Sequence, residues 1–343
     1  MTLHIFNPEH DIALAAHLEN FTAPHAGRQL RHDLSRLPEL WAKEEDAVLV
    51  DDELVSAQKE CNIGQITRIE PWGWDLALRA QLLRKGFREA LLPTKAQIET
   101  IRQLSHRRVA ASTLLEVCKG EAGVIGEAYE CLSEEEAARL IGKFGKVVLK
   151  APWSSSGRGI RFVSDLTSQQ GWLRNLLRRQ GSVMVEPFYN KVKDFGMEFY
   201  SDGNGNVSYL GLSLFHTKNG AYTGNILATE NAKREMISRY IPIGLLDAIS
   251  QKLCTVLGAT FQHQYEGPFG VDMMVVAQHD LSDSPSSPSF LLHPCVEINL
   301  RRTMGHVALS LAQRVNPQQD DEVVRVMRIV YDKNNYKLKI QRL

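Results

Sequence analysis

Three stretches of the chain bring together residue types from which phosphate and metal chemistry can be built. In VVLKAPWSSSGRGI an apolar run ends at Lys150, and Ser154, Ser155, Ser156, Gly157, Arg158 and Gly159 follow as a small, donor-rich loop. Such a loop can wrap its backbone N–H groups around phosphate oxygens while the lysine supplies a point charge. The order is neither that of a Walker A loop, where Lys-Ser/Thr follows the glycines, nor GxGxxG. A plain surface turn after a strand is the competing reading. In HPCVEINLRRTMGH, Glu297 and Asn299 are two residues apart, so on an extended strand both side chains leave by one face. A carboxylate and an amide oxygen suit a hard cation such as magnesium. Asp272 lies between Val271 and Met273, and an acid in an apolar strand is costly unless paired or metal-bound. If these two strands are antiparallel neighbours, Asp272 faces the same ion; otherwise all three are solvent-face residues of an exposed sheet. In SVMVEPFYNKVKDFGMEFY an apolar strand ends at Glu186, Pro187 and Phe188, and Glu198 follows on the next strand. Pro187 has no backbone donor, so the segment reads as a hinge. Its apolar face could hold a flat base with Glu186 at the exocyclic edge, leaving Glu198 for ribose hydroxyls.

These groups need elements to carry them. A strand over residues 3–6 runs through the polar turn Asn7 to Asp11 into a helix over 12–17. Strands over 47–50 and 90–92 then alternate with helices over 75–85 and 94–104. That alternation predicts a parallel, Rossmann-like α/β layer over residues 1–105. The pattern then changes. Helices are expected over 109–118 and 133–144, the second opened by a capping box of Ser133 and Glu136. A strand over 147–150 leads into the loop. Strands over 181–186, 196–201 and 207–215 follow, with Leu210, Leu212 and Leu214 alternating as in a half-buried strand. A helix over 230–257, interrupted near Pro242, precedes strands over 269–276 and 290–300 that flank the turn SDSPSSPS. The tail predicts a hairpin turning at 333–335.

Composition removes several classes of function. With 43% apolar and 23% charged residues over 343 positions, the chain can bury ordinary cores for two or three domains. Forty Lys and Arg balance forty Asp and Glu, so no global basic excess marks a nucleic-acid or anionic-membrane partner. No apolar run approaches the roughly 18 residues that a bilayer crossing takes. The start MTLHIFNPEHDIALAA lacks the basic and apolar regions of a secretory signal. Five cysteines without a CxxC pair fit a reducing compartment and argue against zinc, so a cytoplasmic protein is expected.

Taken in order, from residue 108 to residue 306, these features resemble the ATP-grasp superfamily. The resemblance implies an α+β protein: two α+β subdomains, residues 106–185 with the phosphate loop and 186–343 with the metal site and C-terminal hairpin, after an α/β domain over 1–105. It implies ATP and Mg2+, or Mn2+, as cofactors. Lys150 and Ser154 to Gly159 would hold the phosphates, Glu186, Pro187 and Phe188 the adenine, and Glu198 the ribose. Asp272, Glu297 and Asn299 would hold the metal. The ExNxR stretch, with His306 nine positions after Glu297, is more similar to the biotin carboxylase and carbamoyl phosphate synthetase branch than to D-alanine:D-alanine ligase. In that branch the arginine lies near the acyl or carboxy phosphate, which makes Arg301 the candidate for charge stabilisation and Arg302 the alternative. A basic residue at the start of the first subdomain matches Arg107 or Arg108, and Arg108 is preferred because 109–115 keeps its helical register. Gly270 stands where several ligases carry an arginine. No biotin-carrier sequence or glutaminase domain accompanies the match.

The activity so implied is a Mg-ATP-dependent ligase that activates a carboxylate as an acyl phosphate for capture by an amine, an amino acid or a small peptide-like substrate. A small-molecule kinase of the same fold and an inactive nucleotide-binding scaffold are the alternatives. The expected partners are the small carboxylate and amine and a second copy in a homodimer, with no nucleic acid and no membrane. Substrate contacts are sought in Asn7, Glu9, His10 and Asp11, at the ligand edge of an α/β layer, although capping by Asp11 explains the same turn. The segment FHTKNGAYTGN, with His216, Lys218, Tyr222 and Asn225, is either a closing loop or an ordinary hairpin. Trp72 to Asp75 reads as a packing anchor and His306 as a local structural histidine.

Overall fold

Leu3 and Ile5 alternate with His4 and turn into an apolar core, which makes Thr2–Ile5 the strand β1. The computed structural model describes residues 1–56, 61–154, 157, 159–218, 221–278 and 289–342. After β1 come the helices α1 (His10–Ala16) and α2 (His25–Asp33) and the strands β2 (Ala47–Val50), β3 (Glu53–Ser56) and β4 (Arg68–Pro71). β2 and β4 run parallel to β1 on either side, and β3 folds back antiparallel on β2, so the order is β3-β2-β1-β4. Helix α3 (Leu76–Arg84) starts where the Asp75 carboxylate accepts from the Leu78 N–H. Helix α4 (Lys95–Leu104) starts at a reciprocal Thr94 and Gln97 pair. The strand expected over 90–92 is instead a 3-10 turn, Glu89–Leu91. The sheet takes Arg68–Pro71, whose one deeply buried apolar residue, Ile69, gives little alternation to read. As the edge strand, β4 can end in Pro71 without losing a ladder bond.

Helix α5 (Arg107–Cys118) begins two residues before the expected start. Beyond it lie β5 (Tyr129–Cys131), α6 (Glu134–Phe144), β6 (Val147–Lys150), β7 (Ile160–Val163), α7 (Gln170–Gln180) and β8 (Val183–Pro187). The four strands form an antiparallel sheet in the order β5-β8-β6-β7. Val147, Leu149, Val183 and Val185 bury one face of it against Ala137 and Ile141 of α6 and Leu173 and Leu176 of α7. At the start of α6, Ser133 accepts from the Glu136 N–H, but Glu136 reaches back to the Leu132 N–H, one residue short of a reciprocal box.

The remaining strands are β9 (Lys191–Asp202), β10 (Val207–Lys218), β11 (Ala221–Leu227), β12 (Glu266–Gln278), β13 (Ser289–Asn299), β14 (Arg325–Asp332) and β15 (Asn335–Arg342). They make one sheet in the order β13-β12-β9-β10-β11-β14-β15. Between them come α8 (Glu230–Ser238), α9 (Ile243–Phe261) and α10 (Met304–Val315). Leu246, Ile249, Leu253, Leu257 and Phe261 recur at helical spacing and bury α9 against Phe195, Phe199 and Phe269. Ala110, Leu114 and Val117 of α5 join this same core, so α5 packs on the large sheet although it precedes the phosphate loop. The Ser/Pro turn between β12 and β13 falls largely outside the described residues. The C-terminal hairpin turns at Lys333 and Asn334, with φ of 48° and 69°, as a two-residue hairpin requires.

A further apolar cluster joins the first layer to the large sheet: Phe6, Leu34, Leu37 and Trp72 pack with Val307, Ala308 and Leu311 of α10 and with Met327. Trp72 is thus the packing anchor expected of it, set edge-on to Phe6 at 5.0 Å. This junction brings the turn after β1 to the mouth of the cleft described next. Among the described residues no single helix is long and apolar enough to cross a membrane; α8 and α9 meet that measure only as a pair bent by 116°.

Candidate active site

The alternation that buries Val147 and Leu149 puts Val148 and Lys150 on the opposite face of β6. Register places Phe162 and Glu186 beside Val148, and Ile160 and Met184 beside Lys150. Lys150 and Glu186 are both buried, and Nζ lies 2.5 Å from Oε2. Phe162 and Phe188 stand exposed at the rim, with their rings edge to face at 5.9 Å. An apolar shelf with a charged pair at its inner end can hold a flat base and the phosphates that follow it.

The loop after Lys150 is pinned at both ends. Ala151 N–H donates to Gly159 O at 2.8 Å, and a Cβ on Gly159 would collide with Ser154 and Ala151, so this turn needs glycine. Trp153 anchors the loop: its indole N–H donates to Arg102 O at 2.8 Å, and the Arg102 guanidinium lies 3.7 Å from the ring centre. Ser155, Ser156 and Arg158 lie outside the described residues. Arg107, rather than Arg108, meets the loop. Its Nε donates to Ala151 O at 3.0 Å, and its Nη2 lies 3.3 Å from Ser154 Oγ and 2.8 Å from Glu297 Oε1. Arg108 points outward, half exposed, toward Glu130 and Gln103. Adjacent helical positions differ by about 100°, so only one of the two arginines can enter the cleft.

Opposite the loop, β12 and β13 are antiparallel, with Asp272 directly across from Glu297 and Gly270 across from Asn299. Asn299 Nδ2 donates to Asp272 Oδ2 at 3.0 Å. Burial, and then the nearby Glu297 carboxylate, push the Asp272 carboxyl up to about 7. Two carboxylates so close call for a counter-charge. Among the described residues no three His, Cys, Asp or Glu side chains converge. An ion here would therefore take Asp272, Glu297 and the Asn299 amide, with water and phosphate oxygens completing its shell, a set that suits Mg2+. Further along β13, His293 is fully buried, and among the described residues neither of its ring nitrogens is hydrogen-bonded. Burial and the Lys150 charge push its pKa down to about 3, so it is a neutral imidazole with polar capacity to offer.

Arg301 extends the same face. Its Nη2 lies 3.0 Å from Asn299 Oδ1, and it grips Asp11 of α1 through two bonds of 2.8 and 2.7 Å. Burial would lower its pKa, but Asp11 and the site carboxylates raise it above the ordinary arginine value. Arg302 turns away and stacks on Trp41, 4.5 Å from the ring centre. A small cleft of about 20 Å3 lies beside these groups, lined by His10, Asp11, Ser105, Trp153, Ser154, Glu297 and Asn299. His10 enters from the turn after β1. Its ring lies against the Cα of Gly73, where a Cβ would come within 2.6 Å of it, and its Nδ1 is 3.4 Å from Asp75 Oδ2. Asn7 Nδ2 donates to Gly73 O at 2.8 Å and locks the two turns together.

Several sequence candidates lie elsewhere. Glu198 is buried under the start of α10, 2.8 Å from Thr303 Oγ1 and 2.9 Å from His306 Nδ1, so the ribose role expected of it does not fit. A carboxylate is stabilised at a helix N-terminus, and Gly305 packs directly on this one. A Cβ at Gly270 would come within 2.7 Å of Glu198 Oε2, which is why that position holds no arginine. His306 belongs to the same cap, as expected. The described ends of FHTKNGAYTGN, residues 215–218 and 221–225, pair antiparallel in β10 and β11. Tyr222 donates to Asn225, and Asn225, itself buried, donates to Ser213 at 2.9 Å, so both serve the sheet. The side chain of Lys218 is not among those described. Sequence reasoning missed His293, Phe162 and the anchoring role of Trp153. The alternation of β7 could have revealed Phe162; nothing local marks the other two.

No protein-family model matches the sequence, and no curated protein matches it. Solved structures do. N5-carboxyaminoimidazole synthetase from Staphylococcus aureus, complexed with ADP, superposes with a TM-score of 0.50 at 12% identity over 97% of this chain and 83% of that one. The biotin carboxylase domain of the Hydrogenobacter thermophilus 2-oxoglutarate carboxylase, in complex with MgADP, ADP and bicarbonate, gives 0.47 at 16% identity over 77% of this chain. This chain spans 58% of the length of that one. An Archaeoglobus fulgidus protein described as of the ATP-grasp superfamily gives 0.47 at 15% identity over 100% of this chain and 99% of its own. The fold is the ATP-grasp fold, α+β in class, as the order of motifs led us to expect.

Proposed function

We propose that the protein is a Mg-ATP-dependent ligase that joins a carboxylate to an amine. The observation that carries the reading is the meeting of a basic set and an acidic set at the end of the loop. Lys150 and Arg107 stand at the loop and Asp272 and Glu297 on the strands, with Arg107 2.8 Å from Glu297. A site for phosphoryl transfer needs positioning and charge neutralisation rather than a protein nucleophile.

In this reading Lys150 and Arg107 hold phosphate oxygens, and the shelf of Phe162 and Phe188 holds the base. Magnesium, or manganese in its place, supplies bridging positive charge when bound by Asp272, Glu297 and Asn299. Arg301, held by Asp11, orients the substrate carboxylate whose oxygen attacks the γ-phosphorus, with ADP as leaving group. The amine then attacks the acyl carbon, and inorganic phosphate leaves. His10 faces the cleft where that amine must lose a proton, with the Asp75 carboxylate 3.4 Å from its Nδ1. We place the protein in the cytoplasm as a homodimer, acting on small molecules and on neither nucleic acid nor membrane.

The test is a thermal melt with and without Mg-ATP, for wild type, Glu297→Gln and the double variant Lys150→Met/Glu186→Gln. A ligand at a hundred times its Kd stabilises the native state by about 2.7 kcal/mol, and both variants should lose that gain. ADP release is then followed across amino acids and small carboxylates, with and without an amine. Product phosphorylated without an amine would make the protein a kinase of this fold. A cooperative melt that saturating Mg-ATP does not move would overturn the reading.

A further inference from the structure

A second and larger cleft, of about 310 Å3, opens on the other side of the turn that carries His10 and Asp11. It lies at the carboxyl ends of β1 and β2, where open α/β sheets take their ligands, and α2 forms its outer wall. Phe6 and Leu49 lie buried at its base.

Most charges around it already have partners. Arg31 Nη1 donates to Glu9 Oε1 at 2.7 Å, His32 Nδ1 lies 2.5 Å from Asp51, and Lys85 pairs with Asp52 at 2.9 Å. Two groups are left over. The Arg28 guanidinium has neither a hydrogen-bond nor an ion-pair partner among the described residues, and Arg28 stands exposed on α2 at the cleft. Among the described residues, Glu9 Oε2 is buried without any hydrogen-bond partner. The two belong to one locality, because a Cβ added to Gly27, next to Arg28, would lie 3.8 Å from the Cβ of Glu9.

A buried carboxylate oxygen calls for a donor and a free guanidinium for an anion, while Phe6 and Leu49 offer an apolar base. We propose that this cleft binds a free α-amino acid, its carboxylate on Arg28 and its ammonium on Glu9 Oε2, with the side chain over Phe6. An inorganic anion would leave Glu9 unsatisfied, and an amine alone would leave Arg28 unused. The site does not depend on the ligase reading, since no group of the nucleotide cleft takes part.

The full chain, without nucleotide, is titrated with each of the twenty L-amino acids by calorimetry. The best ligand is then compared with its N-acetyl and amide derivatives. At least one amino acid should bind, and both derivatives should bind about tenfold or more weakly, as expected for loss of a charge-assisted bond. Arg28→Ala, at an exposed position with no partner to orphan, should cost a similar factor and leave the melting temperature unchanged. Lys150→Met/Glu186→Gln should bind the amino acid as wild type does. The proposal fails if none of the twenty binds, if Arg28→Ala binds undiminished, or if binding is lost with the nucleotide-cleft variant. A wild-type protein that binds the amino acid but not Mg-ATP would overturn only the ligase reading.

Discussion

Asp11 and Arg301, 290 positions apart, meet in a two-bond pair with Nε to Oδ1 at 2.8 Å and Nη2 to Oδ2 at 2.7 Å. The pair joins the first turn of α1 to the chain just past β13. It fixes the plane of a guanidinium whose remaining bonds go to Asn299 Oδ1 and the Arg302 carbonyl. The N-terminal layer thereby supplies a wall of the cleft and sets the direction of one of its charges.

Removing the carboxylate should therefore loosen both parts. Asp11→Ala is expected to lower stability by about 1–3 kcal/mol in urea denaturation, because it leaves a largely buried guanidinium short of partners. Burial alone would raise the Asp11 pKa, but Arg301 outweighs it and holds the carboxyl below its usual value. The contribution is then complete above the unfolded pKa near 4 and is lost as pH falls through the folded one. Asp11→Ala should differ most from wild type at neutral pH and converge with it in acid. Equal losses at every pH would show that packing, not charge, is what the substitution removes.

The Lys150 and Glu186 pair needs a different design. Lys150→Met alone strands a buried carboxylate and should cost about 3–5 kcal/mol. Lys150→Met with Glu186→Gln removes both charges and should fold close to wild type while still losing the Mg-ATP shift. A single variant as stable as the double would mean that Glu186 finds water or another donor.

The contrast between Lys150 and Arg107 shows what could be read in the sequence. Lys150 ends an apolar strand whose alternation points it away from the core, so its face follows from local pattern. Asp272, Glu297 and Asn299 were legible for the same reason, once their two strands were taken as antiparallel neighbours. Arg107 and Arg108 are adjacent on a helix, and what chooses between them is the contact of α5 with the loop, which no local pattern records. Glu198 failed as a ribose ligand because the start of α10 covers it, and that cover comes from residues more than a hundred positions away. His293 was silent too, since its surroundings are assembled from separate elements.

Glu198 offers a sharp separation of roles. Glu198→Gln removes the charge that Thr303, His306 and the α10 N-terminus share, and stability should fall by about 1–2 kcal/mol. The Kd for Mg-ATP, measured by calorimetry well below the melting temperature, should stay within about twofold of wild type. A tenfold weaker Kd in an equally stable protein would return this carboxylate to the ribose.

His106 should make the protein sensitive to mild acid. It caps α5 by accepting the Arg108 N–H on Nδ1 at 3.0 Å, and its Nε2 lies 3.3 Å from Ser182 Oγ. Burial, reinforced by the charges of Arg108, Arg102 and Arg107 against the pull of Glu130, pushes its pKa down to about 4. Between the unfolded value near 6.5 and that folded value, the unfolded chain holds a proton that the native state rejects. Stability therefore falls as pH drops through this window, by up to about 1.4 kcal/mol per pH unit for one proton. His106→Asn keeps an acceptor at the cap but cannot titrate. Urea denaturation at pH 7, 6 and 5 should show the variant losing less with each step, with the slope that remains due to His293, His4 and His216 and opposed by Asp272. Parallel losses in the two proteins would mean that His106 takes its proton in the folded state as readily as in the unfolded one.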